Sequence, residues 1–199
     1  MPEPAKAAYL AAVTALLTTF RASISARTAA GLPPPLIVHS IVPFGLNQNA
    51  FASPNSKTTH WVAAMFPDKQ LPTNLPPQMA SLEVRSDFGV PSALKPEGTP
   101  WPSGNEILVH RLRPSALQDS DLPAYLRARD IKHIVICGLT TAGTVLGTAR
   151  QAADNDYHVI LPDEANWDDE EEVHRFLFDR VLGRHADCVK VADVQALFS

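Results

Sequence analysis

The chain has 199 residues, 45% of them apolar and 19% charged, which is enough for one α/β domain with a sizeable core and short for two. A net charge of −4 and a pI near 5.9 leave no basic footprint, which argues against a nucleic-acid partner. The two cysteines, Cys137 and Cys188, each fall in a predicted strand and read as buried thiols of a reducing, cytoplasmic compartment, which makes a disulfide framework improbable.

In chain order, Tyr9, Leu10, Val13, Leu16, Leu17, Phe20 and Ile24 recur at three-to-four spacing and predict an amphipathic helix over 3–29. The same stretch has some look of a secretory leader. Glu3 offsets Lys6, however, and the run is too short and too rich in Thr for a membrane span. Gly31 stops the helix, Pro33, Pro34 and Pro35 make a stiff connector, and 36–42 is a buried strand closed by Pro43. His39 inside that strand reads as a core or edge residue. Residues 44–104 are a proline-rich irregular excursion, with short elements at 59–65 and 78–84. Its aromatic residues, Trp61, Phe66, Phe88 and Trp101, either wall a pocket or anchor the excursion to the body.

A strand follows at 106–111, then a helix through Leu122, Tyr125, Leu126 and Arg129, capped by Ser120 or Asp119. Ile134, Val135, Ile136 and Cys137 form a buried strand, and Gly138 to Gly143 a small-residue turn. A helix begins at Thr144, with Val145, Leu146, Ala149, Ala152 and Ala153 on one face, and 157–161 is the next strand, ended by Pro162. This is a right-handed βαβ unit, so a ligand belongs beyond the carboxyl end of its first strand, at loop 138–144. Spacing alone favours a purely structural turn, and no dinucleotide fingerprint is present, because Thr140 stands at its second glycine position. The acidic run 168–172 reads as the cap and first turn of a helix carrying Val173, Phe176, Leu177 and Val181. Val189 and Val191 give a last strand, and Asp193 caps a terminal helix over 194–198.

Three segments then carry a resemblance: LKPEGTPWPSGNEILVHRLRPSAL, ICGLTTAGTVLGTARQAADNDYHVILPDEAN and EEEVHRFLFDRVLGRHADCV. In that order and spacing they resemble the isochorismatase-like (cysteine hydrolase) superfamily over roughly residues 94–194. They are closest to members whose loop lacks the cysteine. The resemblance implies one domain over 1–199, a three-layer α/β sandwich with a mostly parallel, Rossmann-like sheet. It also implies hydrolysis of a small polar substrate, and dimers or tetramers.

The family uses a Cys nucleophile, an Asp general base and a supporting Lys. Carried over residue by residue, the Cys position falls on Thr144 and the Lys position, four before Ser115, on Arg111. The Asp belongs to a first strand ahead of the first helix, whereas this chain starts at that helix. A hydroxyl needs an adjacent base that the loop does not supply, and Arg cannot shuttle a proton. The oxyanion pocket is implied at Leu139, Thr140 and Gly143, with a cis peptide between Leu139 and Thr140 and the N–H groups of Thr140 and Thr144 facing the site. The missing strand leaves the sheet either re-paired, with 36–42 beside 133–137, or interrupted, or this chain a shortened version of a longer protein. Vinyl-ether hydrolysis tolerates loss of the Cys but needs an acid, and Asp87, Glu106 and Asp163 are the candidate carboxylates. The alternative is an inactive relative that binds a small molecule or presents an oligomer surface. No cofactor and no metal are expected, since the nicotinamidase-type ligand pattern is absent and His39, His60 and His110 lack metal-ligand spacing. Neither nucleic acid nor membrane is an expected partner.

Overall fold

In the computed structural model, which describes residues 1–41, 55, 92–96, 101–102, 104–111 and 113–198, two helical layers enclose a layer of parallel strands. The elements are α1 (Glu3–Ala29), β1 (Ile37–Ile41), β2 (Glu106–His110), α2 (Leu122–Ala128), β3 (His133–Val135), β4 (Gly138–Leu139), α3 (Leu146–Asp154), β5 (His158–Pro162), β6 (Asn166–Trp167), α4 (Glu171–Phe176), β7 (Asp187–Val189) and α5 (Val191–Ala196). The period-2 alternation of side chains explains the layering. On β5, Val159 and Leu161 join Leu122, Leu126, Val145, Ala149 and Ala152 under α2 and α3. Ile160, between them, packs with Val13, Leu16 and Leu17 of α1 and with Val191 and Val194 of α5. The architecture is the three-layer α/β sandwich expected from the sequence.

Among the described residues the strands form three separate ladders. β1 pairs with β2, β5 lies between β3 and β7, and β4 pairs with β6, all parallel. Among the described residues no ladder joins β1 to β3, although Ile37 of β1 and Val135 of β3 both pack in the core beneath α1. Alternate residues of a parallel strand bond to opposite sides. Ile37 N–H donates to Asn105 and Ile41 accepts from Arg111, so Val38 and Ser40 direct their backbone groups away from β2. By the same reasoning Val135, alternating with Ile136, whose N–H donates to Ile160, turns its backbone away from β5.

Several sequence expectations are corrected. Cys137 and Cys188 are exposed rather than buried, because they lie on or just beyond β3 and β7, the two edges of the three-stranded sheet. The helix after the turn starts at Thr141 as a π-helical turn, Thr141–Val145, and becomes α3 only at Leu146. Val191 opens α5 instead of extending the last strand, and Asp193 sits inside that helix, its carboxylate accepting the Lys190 N–H at 2.8 Å. Ser120 accepts the Leu122 N–H at 3.3 Å, while Asp119 occupies a left-handed turn with φ 53°. α1, with 27 residues and a window of mean hydropathy 1.4, is in fact long and apolar enough to cross a membrane by length and composition. Here it buries Val13, Leu16 and Leu17 against the sheet. The short elements expected at 59–65 and 78–84, and Trp61, Phe66, Asp87 and Phe88, lie outside the described residues.

Candidate functional site

Loop 138–145 leaves the carboxyl end of β3 and is shaped by its small residues. Gly138 has φ 152°, a conformation that side-chain-bearing residues rarely adopt. The Leu139–Thr140 peptide is cis, the isomer implied by the resemblance. At Gly143 a Cβ would stand 2.9 Å from Thr140 Oγ1, so only glycine lets the turn close at that spacing. The Thr140 carbonyl then accepts the N–H groups of Gly143 at 3.1 Å and Val145 at 3.2 Å, winding Thr141–Val145 into its wide turn. Wide turns of this kind often mark functional sites.

Arg111 follows β2 and reaches across to the same loop. Its Nη2 donates to Thr144 Oγ1 at 2.8 Å, and its Nη1 to the carbonyls of Arg113 at 2.8 Å and Pro114 at 3.3 Å. Its Nε is buried and has no partner among the described residues. Burial pulls the guanidinium below its ordinary pKa, though an arginine remains a cation. The structure thus brings together two residues 33 positions apart in sequence, and Leu139 of the same loop is exposed.

The loop is held from below by groups the sequence reading did not single out. Thr141 Oγ1 lies 2.7 Å from His174 Nδ1, and His174 Nε2 lies 3.0 Å from Asp163 Oδ1. With its proton on Nε2, His174 donates to Asp163 and accepts the Thr141 hydroxyl. Asp163 also accepts from Arg175 Nη1 at 3.0 Å, from Arg175 Nη2, and from Lys190 Nζ at 3.0 Å. These donors hold its carboxyl well below the usual carboxylate range against the opposing effect of burial. The row hydroxyl–imidazole–carboxylate has the order of a nucleophilic triad. Thr141 is fully buried, however, so no substrate atom reaches it and the row anchors the loop. Helical period gave a signal for His174, which lies three and four residues before the buried Leu177 and Phe178.

Asp168 is a further correction. The sequence places it in the cap and first turn of a helix, yet it is buried and its Oδ2 accepts the Ala142 N–H at 2.7 Å, while the helix itself starts only at Glu171. Of the three carboxylates considered from sequence, Asp163 is spent on the anchor. Glu106 opens β2, remote from the loop, where it accepts from Arg21, His39 and Trp101. Neither cysteine stands at Thr144: Cys137 precedes Gly138 at the end of β3, and Cys188 lies in β7. Among the described residues no three His, Cys, Asp or Glu side chains converge on a metal position.

Comparison with known proteins accounts for this arrangement. Residues 81–194, more than half of the chain, match the isochorismatase domain family. The fold is shared with an isochorismatase family protein from Burkholderia thailandensis at 23% identity and TM-score 0.65, covering 96% of this chain and 83% of that one. A cysteine hydrolase from Pseudomonas syringae pv. phaseolicola aligns at 18% identity and TM-score 0.61, over 93% of this chain and 80% of the other. N-carbamoylsarcosine amidase from Thermoplasma acidophilum aligns at 18% identity and TM-score 0.57, over 94% and 85%. The matched domain, the parallel sandwich and the loop at the carboxyl end of β3 lead to one conclusion: this chain belongs to the isochorismatase family of hydrolases.

Proposed function

We propose that the chain hydrolyses a small polar substrate held between Arg111 and the loop Leu139, Thr140, Gly143 and Thr144, with Thr144 at the Cys position and Arg111 at the Lys position of the standard triad. The observation that carries this reading is the 2.8 Å bond from Arg111 to Thr144 at the mouth of the cis-peptide turn. A half-buried guanidinium beside loop N–H groups is suited to a carboxylate, or to an oxygen on which negative charge develops. Thr144 takes the place of the nucleophile in sequence only. Its hydroxyl accepts from a cation, and no carboxylate contact to it is present among the described residues to act as a base. Arg111 therefore supplies charge stabilisation and substrate orientation rather than proton transfer.

A second reading has its own support. With Asp163 and Glu106 each engaged elsewhere, an inactive relative would keep Arg111 and the loop as a small-molecule site. A panel of small vinyl ethers and amides, assayed for turnover and for binding, separates the two. Turnover lost in Arg111→Met and retained in Thr144→Ser supports hydrolysis. Saturable binding that needs Arg111, without turnover, supports the inactive relative. In both readings we propose a cytoplasmic homo-oligomer with a small-molecule ligand, no nucleic-acid or membrane partner and no cofactor.

A further inference from the structure

The amino end of the three-stranded sheet lies opposite the loop described above and carries a side-chain cluster of its own. His133 opens β3 and His158 opens β5, and the parallel register sets them directly opposite one another. Their Nδ1 atoms are 2.9 Å apart, with the rings nearly perpendicular at 80°. On the far side of His158, Nε2 lies 2.7 Å from Oδ2 of Asp187, the first residue of β7. The side chains of His158 and Asp187 are 49% and 64% exposed, so the cluster is open to solvent.

Two chemistries fit such a pair: one shared proton, or one shared metal ion. Two imidazole nitrogens bound at about 2.0–2.1 Å with a right angle at the metal stand about 2.9 Å apart. The separation observed therefore equals the bite of a cis chelate. Asp187 settles the tautomer of His158. A carboxylate only accepts, so the His158 proton stays on Nε2, and its Nδ1 lone pair faces His133, whose Nδ1–H it accepts when no ion is bound. A carboxylate behind a ligating histidine is the usual support for an imidazole–metal bond.

We propose that His133 and His158 chelate one divalent late transition-metal ion, of the class of Zn²⁺, Ni²⁺ or Cu²⁺, through their Nδ1 atoms. Asp187 orients His158, and water completes the coordination. His133 carries its proton on Nε2 in this state, so binding needs no net change of charge on the protein. The ion ties β5 to β3, a strand with one paired neighbour among the described residues. Because the cluster is separate from Arg111 and Thr144, the site acts on stability and not on substrate.

Calorimetric titration of the full chain with Ni²⁺ tests this. The expected result is one ion per chain, with affinity lower by roughly tenfold or more in His133→Gln and His158→Gln, and by roughly tenfold in Asp187→Asn. His110→Gln keeps the wild-type affinity. Saturating Ni²⁺ raises Tm in the wild type and leaves the His133→Gln/His158→Gln double variant unmoved. Electron paramagnetic resonance of the Cu²⁺-loaded wild type, which needs no variant, is expected to show two equatorial imidazole nitrogens. Unchanged affinity in the double variant, a single coordinated nitrogen, or no binding by the wild type overturns the proposal.

Discussion

Two carboxylates, Glu106 and Asp163, are tied by the same physics to different ends. Glu106 takes Arg21 Nε and Nη2 at 3.0 and 2.7 Å, His39 Nε2 at 2.7 Å and Trp101 Nε1 at 2.8 Å. That knot pins α1, the start of β2, the middle of β1 and the cis Trp101–Pro102 step to one another. Every partner in it belongs to the scaffold. Asp163 is gripped by Arg175 and Lys190 and passes its hold through His174 to Thr141, inside the loop that presents Thr144. A carboxylate that ends on other scaffold groups serves the fold. One that ends, through an imidazole, on a turn of the site also sets where substrate is met.

The largest effect expected from this contrast is on stability at Glu106. Glu106→Gln leaves the Arg21 cation beside a neutral amide and should lower unfolding free energy by about 3 kcal/mol, as breaking a buried pair does. Urea unfolding measures it, and ligand binding at Arg111 in the folded fraction should stay at wild-type level. Loss of binding together with stability would erase the distinction between the two knots.

The pH dependence follows from the same carboxyl. The knot lowers its pKa from 4.5 to about 2, so the folded state binds the proton more weakly than the unfolded chain. Its contribution is complete above about pH 4.5 and disappears as pH falls towards 2. From that shift it is worth about 3 kcal/mol. Asp163, also depressed, loses its contribution on the same acid side. Acid unfolding of Glu106→Gln should show a shallower slope in that window than the wild type, and an unchanged slope would assign the acid transition elsewhere.

At the second knot, unlike the first, function is expected to fall together with stability. His174→Ala removes the link between Asp163 and Thr141 and should cost about 2 kcal/mol, while ligand binding at the loop falls by roughly tenfold or more. Thr141→Val, which keeps the volume and removes only the hydroxyl, should cost about 1 kcal/mol. Its binding loss should match that of His174→Ala if the relay is the path. Wild-type binding in Thr141→Val, measured by the same titration, would reduce the row to packing.

Legibility in the sequence followed the range of the interactions. The helix of Tyr9, Leu16 and Phe20 and the strand of Val159, Ile160 and Leu161 rest on periodicity among near neighbours, and both appear close to where it placed them. Asp168 was misread because an acidic run before a helix looks the same whether its first carboxylate faces water or the Ala142 N–H. The exposure of Cys137 was out of reach as well. An apolar strand sequence promises burial only when both of its neighbours are present, and β3 has a partner on one side among the described residues.

By itself, then, the sequence determined the parallel α/β plan and, through its motif order, the family, because periodicity and turn chemistry act over a few residues. Tertiary structure decided the rest. It set Arg111 on Thr144, gave His174 to Thr141, left no ladder between β1 and β3 among the described residues and placed His133 against His158. Each of these depends on which side chains meet across elements far apart in the chain, and that is fixed by packing rather than by local pattern.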